Sequence, residues 1–96
     1  MRSIVKLPQP RRDLIDIWLY TFREWGESQA DRYLHDLEKA ILVLIEHSTS
    51  GVSYEHIRAG YRKLSVNHHR VFYRVSGERI EIIRVLHENM DAVRHL

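Results

Sequence analysis

The chain has 96 residues, 44% of them hydrophobic and 29% charged, which suits one domain with a true core and a solvated surface and argues against disorder. Its formal charge of +2 is far from the dense Lys/Arg loading of a duplex-binding arm, so no direct sequence-specific nucleic-acid binding is expected. It contains no cysteine, which excludes disulfides, thiolate chemistry and cysteine zinc sites.

Met1-Arg2-Ser3-Ile4-Val5-Lys6 is charged too early for a signal peptide, and no apolar run approaches a membrane span. A cytoplasmic location is therefore expected, with no membrane partner. Ser3–Leu7 reads as a short strand closed by Pro8. Pro10 is tolerable only in the first turn of a helix, which should begin near it. From Arg12 to Trp25 the apolar residues Leu14, Ile17, Trp18, Leu19, Phe22 and Trp25 fall on one broad stripe. Gly26 breaks the run, and Ser28 with Asp31 has the spacing of a capping box.

The second helix has the cleanest period: Ala30, Tyr33, Leu34, Leu37, Ala40, Ile41, Leu44 and Ile45 step at three and four residues. So short a connection makes the two helices an antiparallel hairpin. His47–Ser53 is a loop by composition. Beyond Gly60 the period changes to two, giving strands over Tyr61–Val66, Arg70–Val75 and Arg79–Leu86 joined by short turns. The expected fold is α+β, a single domain over 1–96 of order β-α-α-β-β-β. The helical hairpin covers one face of an antiparallel sheet, with Leu14, Trp18, Leu34, Leu37, Ile41 and Leu44 set against Leu64, Phe72 or Tyr73, and Ile82. The other face is left open and studded with arginine, since residues 58–84 carry Arg58, Arg62, Lys63, Arg70, Arg74, Arg79 and Arg84 against Glu78 and Glu81.

Seven histidines raise the question of a metal. His68 and His69 are adjacent and point to opposite sides of an extended chain, His35 and His47 are too far apart on a helix, and no His-Glu-x-x-His pattern occurs. No metal or other cofactor is expected. The carboxylates Asp13, Asp16, Glu24 and Asp31 read as helix-start and surface charges.

Asp13-Leu14-Ile15-Asp16-Ile17-Trp18, Trp25-Gly26-Glu27 and Gln29-Ala30-Asp31-Arg32-Tyr33 resemble the first half of a ParE toxin of the RelE/ParE superfamily. Ile57-Arg58-Ala59-Gly60-Tyr61-Arg62-Lys63-Leu64, Phe72-Tyr73-Arg74-Val75, Ile82-Ile83-Arg84-Val85-Leu86-His87, Met90-Asp91 and His95-Leu96 resemble its second half in order and spacing. Ala59, Asn67-His68 and Thr49-Ser50 depart from the family pattern, all in turns or loops. The resemblance implies a type II toxin, silenced by a ParD-like antitoxin and poisoning DNA gyrase by binding, with no catalytic residue. It nominates Arg62, Arg74, Arg84, His87, Met90, Arg94 and His95 for the target, and Trp25, Arg58, Tyr61 and Arg70 for the antitoxin. Two other readings stand beside it. One is a RelE-like ribosome-dependent messenger ribonuclease, in which strand arginines steady the phosphate and His87, Tyr61 or Tyr73 moves a proton. The other is a non-toxic member that acts with its antitoxin in repression.

Overall fold

The computed structural model describes residues 1–96 as β1 (Ser3–Lys6), α1 (Pro8–Trp25), α2 (Glu27–Val43), β2 (Val52–Ser53), β3 (Tyr61–Val66), β4 (His69–Ser76), β5 (Arg79–His87) and α3 (Ala92–His95). The five strands form one sheet in the order β1-β5-β4-β3-β2. The β3–β4–β5 meander is antiparallel, and β1 joins its edge parallel to β5, Ser3 opposite Arg79 and Lys6 opposite Ile82. Asn67, at φ 53°, and Gly77, at φ 59°, take the left-handed backbone that tight hairpin turns demand.

The α1–α2 hairpin lies on one face, as its period requires. Leu14, Ile17, Leu37, Ile41 and Leu44 are buried against Val71, Tyr73, Ile80, Ile82 and Val85, with Leu34 and Leu64 partly buried at the margin. The phenol of Tyr73 also ties down the segment after α2. It donates to the Ser48 carbonyl at 2.6 Å and accepts from the Gly51 amide at 2.9 Å. A Cβ on Gly51 would lie 2.7 Å from that hydroxyl, so only glycine fits there.

Several expectations need correction. Helix α1 begins at Pro8, because both Pro8 and Pro10 fall in a first turn whose amides have no intrahelical partner. Gly26, at φ 89°, caps α2 in place of the Ser28–Asp31 box, and Asp31 instead accepts the Trp18 indole N–H at 2.9 Å. Trp18 is not in the core. The buried stripe of α1 is Pro10, Asp13, Leu14, Ile17 and Thr21, and Trp18, 100° away from Ile17, stacks on Phe22 at 5.1 Å. The expected loop contains β2, which pairs Val52 with Lys63 and Ser53 with Arg62. The second sheet face is not bare either: Phe72, on the opposite side of β4 from Val71 and Tyr73, is fully buried, with the Tyr54 ring edge-on at 5.3 Å. Leu37→Ala empties the centre of the core, so chemical denaturation should show a loss of about 2–5 kcal/mol.

Candidate functional site

Strand β1 accompanies β5 only as far as Ile82, because Pro8 turns the chain into α1. Beyond that point the outer edge of β5 has no neighbouring strand, and an unpaired edge must be blocked or capped. A side chain of α1 does this. Asp13 Oδ2 accepts the Val85 amide at 3.0 Å and Arg84 Nε at 2.8 Å, while Oδ1 accepts Arg84 Nη2 at 3.0 Å. Gln9 adds a weaker donor at 3.3 Å. The third Arg84 nitrogen, Nη1, donates to the His95 carbonyl at 3.0 Å, so one guanidinium joins α1, β5 and the C-terminal segment. The register shift opposite Phe72 and Tyr73 leaves Ile83 without a partner; such a bulge twists the strand and re-aims its side chains, here just before Arg84. Asp13 is only 7% exposed and is therefore not the surface charge expected of a helix start.

Beside this ion pair runs a groove of about 700 Å³. Ile17, Tyr20, Thr21 and Trp25 line it from α1, Gln29 and Tyr33 from α2, Val85, Leu86 and His87 from β5, and Met90 from the segment that follows. Thr21 is buried without penalty because its hydroxyl donates to the Ile17 carbonyl at 2.8 Å. Trp25, Tyr20 and Met90 are 66%, 59% and 39% exposed, an unusual amount of large apolar surface around one concavity.

Histidines close one end. His69 and His87 face each other across β4 and β5, their rings edge to face at 5.2 Å. The His68 amide donates to the Tyr33 phenol oxygen at 3.2 Å, and the phenol, which has a proton of its own to give, is hydrogen-bonded to His69 Nδ1 at 2.6 Å. Burial pushes the Tyr33 pKa up, which keeps that proton in place. Burial, then the neighbouring His87 and His68, pushes His69 down to about 4, against a smaller opposing pull from Glu88, so His69 is neutral at physiological pH. Glu88 accepts from His68 Nδ1 at 2.8 Å, which lowers its own pKa.

Of the nominated residues, the groove brings together Trp25, Arg84, His87 and Met90. The rest lie elsewhere. Arg62 Nη1 donates to the Gly51 carbonyl at 2.7 Å, Arg74 is paired with Glu81 at 2.6 Å, and Arg70 reaches the Glu88 carbonyl at 3.2 Å. Arg58 holds the Leu96 carbonyl at 3.2 Å, and Tyr61 opens β3 opposite Arg74. Arg94 is 82% exposed, and the exposed His95 offers its carbonyl to Arg84. The groove also contains Tyr20, Tyr33, His68 and His69, which the sequence alone does not single out as site residues. The signal for Tyr33 was hidden because a tyrosine in register with Leu37 and Ala30 reads as core.

Removing one partner of a buried, hydrogen-bonded ion pair strands the other, whereas an exposed pair is worth little. Asp13→Ala should therefore cost about 3–5 kcal/mol in denaturant unfolding, and Arg74→Ala, whose own side chain is open to solvent, should cost far less.

Residues 5–92 match the family model described as the ParE toxin of the type II toxin-antitoxin system parDE. The chain is 48% identical over 86 residues to Toxin ParE1 of Caulobacter vibrioides, covering 90% of this chain and 88% of that protein. It is 43% identical over 90 residues to Toxin ParE1 of Mycobacterium tuberculosis, covering 93% and 92%. Among solved structures, a chain from the chromosomal ParDE system of P. aeruginosa superposes with a TM-score of 0.80 over 91% of this chain and 96% of its own, at 22% identity, a likeness of fold. The match runs through both helices, the whole meander and the segment carrying Met90, and on that extent this chain belongs to the ParE toxin family of type II toxin–antitoxin systems.

Proposed function

We propose that the protein is a toxin that inhibits DNA gyrase by binding, without chemistry of its own, and that a ParD-like antitoxin silences it by occupying the groove between α1 and β5. The observation that carries this reading is the contrast between its cations and its aromatics. Cleaving RNA requires cations free to steady a scissile phosphate. Arg62, Arg74 and Arg84 are instead tied to acceptors within the chain. Tyr20, Trp25 and Met90, by contrast, are exposed around a concavity, the character of a partner-binding surface and its anchors. A segment that orders as it binds loses entropy and needs a large interface, which a groove flanked by a helix and a strand edge provides.

The target is assigned to the other end of the same region, the C-terminal segment with Met90, Arg94 and His95. Arg94 is the clean probe there, since its exposed side chain makes only a 4.0 Å approach to Asp91. Arg84 is a poor one, because its charge reversal would break the bond to Asp13. Purified protein should block gyrase supercoiling, leave cleaved DNA behind, and spare messenger RNA on ribosomes. Arg94→Glu should weaken the block at least tenfold with unchanged thermal stability, while His87→Ala should retain much of it. Ribosome-dependent cleavage of messenger RNA, lost in a folded His87→Ala protein, would overturn the reading in favour of a nuclease.

A further inference from the structure

The histidine end of the groove has a definite donor pattern. His87 Nδ1 accepts the Asn89 amide at 3.1 Å, so in the neutral ring the proton sits on Nε2. His69 Nδ1 is engaged by the Tyr33 phenol, and with the phenol donating, the neutral ring carries its proton on Nε2 as well. With Nδ1 of each ring engaged, the two imidazoles, directly opposite in register, have Nε2 as their unengaged nitrogen, and both residues line the groove.

The charged groups around them are already engaged. Glu88 is turned to His68, Arg70 to the Glu88 carbonyl, and Arg84 to Asp13. Neither ring nitrogen is bonded to any of these. Paired N–H donors without a counter-charge, beside exposed aromatic surface, suit an acceptor that brings its own negative charge among apolar neighbours.

We propose that His69 and His87 form a carboxylate-accepting site, filled by an acidic side chain flanked by apolar residues in the antitoxin segment that occupies the groove. This rests on the antitoxin reading above and adds the chemistry that the segment must carry. The carboxylate takes the two Nε2 protons as hydrogen bonds while its apolar flanks cover Tyr20, Trp25 and Met90. His68 stays outside the site, committed to Glu88.

The test uses the full chain, labelled with nitrogen-15, and a capped peptide of sequence Leu-Glu-Phe-Leu set against its counterpart with glutamine for glutamate. Imidazole nitrogen–proton spectra at neutral pH read the two rings separately. So small a probe should bind with a dissociation constant on the order of millimolar. The glutamate peptide should shift Nε2 of His69 and His87 saturably, and the glutamine peptide should bind at least fivefold more weakly. His87→Leu should abolish the difference between the peptides, and His87→Gln, which keeps an N–H donor near the Nε2 position, should restore most of it. Backbone amide spectra identify any variant that has lost its fold, and the wild-type peptide comparison decides the matter without variants. Equal binding of the two peptides, or shifts confined to His68, would overturn the site. That failure is separable from failure of the antitoxin reading, which would appear as no complex with the antitoxin at all.

Discussion

The carboxylate of Asp13 is the point on which the arrangement turns. A parallel β1 that stops at Ile82 leaves β5 with an unfinished edge, and the helix that follows β1 must return alongside it. Asp13 meets both needs, since it takes the Val85 amide that another strand residue would have taken and neutralises Arg84 in the same contact. Burying an ion pair is not by itself stabilising, because desolvation offsets the attraction. Its value here is specificity of position: α1 can sit in only one rotation and height against β5, and the His95 carbonyl is held to the same guanidinium. The groove exists because of that fixed relation.

The same constraint explains how the surface divides. An edge capped by a carboxylate and crowded by a helix cannot recruit a stray strand, which protects the protein from edge-to-edge association. What stays open is side-chain surface: aromatic on the α1 side, imidazole on the β5 side. Two other arginines have structural duties, Arg62 on β3 holding the Gly51 carbonyl and Arg58 in the preceding turn the Leu96 carbonyl. The groove in this way presents a surface rich in aromatics, and what such a surface does is decided by the site and not by the fold.

Much of this was legible in the sequence, for identifiable reasons. The helical period of α2 and the period-two run after Gly60 report burial directly, and burial decides both elements. The resemblance carried family and fold together. Periodicity failed where polar residues do core work. Asp13 and Thr21 occupy the buried stripe of α1 while Leu19, Phe22 and Trp25 do not, so a stripe drawn through the apolar residues is rotated away from the true one and places Trp18 wrongly. The β2 strand of two residues was too short to leave a pattern. The site was half legible: Trp25, His87 and Met90 stood out as residues without an obvious core. The pairing of His69 with His87, and the Tyr33 phenol that orients one of them, depend on strand register and helix rotation that no local pattern carries.

An antitoxin seated in the groove between α1 and β5, as proposed, would cover its exposed aromatic and methionine side chains. Hydroxyl-radical footprinting of the protein, alone and in complex with the antitoxin expressed beside it, tests this most directly, because tryptophan, tyrosine and methionine report their own solvent exposure. Oxidation of Tyr20, Trp25 and Met90, all exposed in the free protein, should fall sharply in the complex, while that of Tyr61 on β3 should change little. Unchanged oxidation of those three, with protection centred on Tyr61 and Tyr54, would contradict it and move the partner to the opposite face of the sheet.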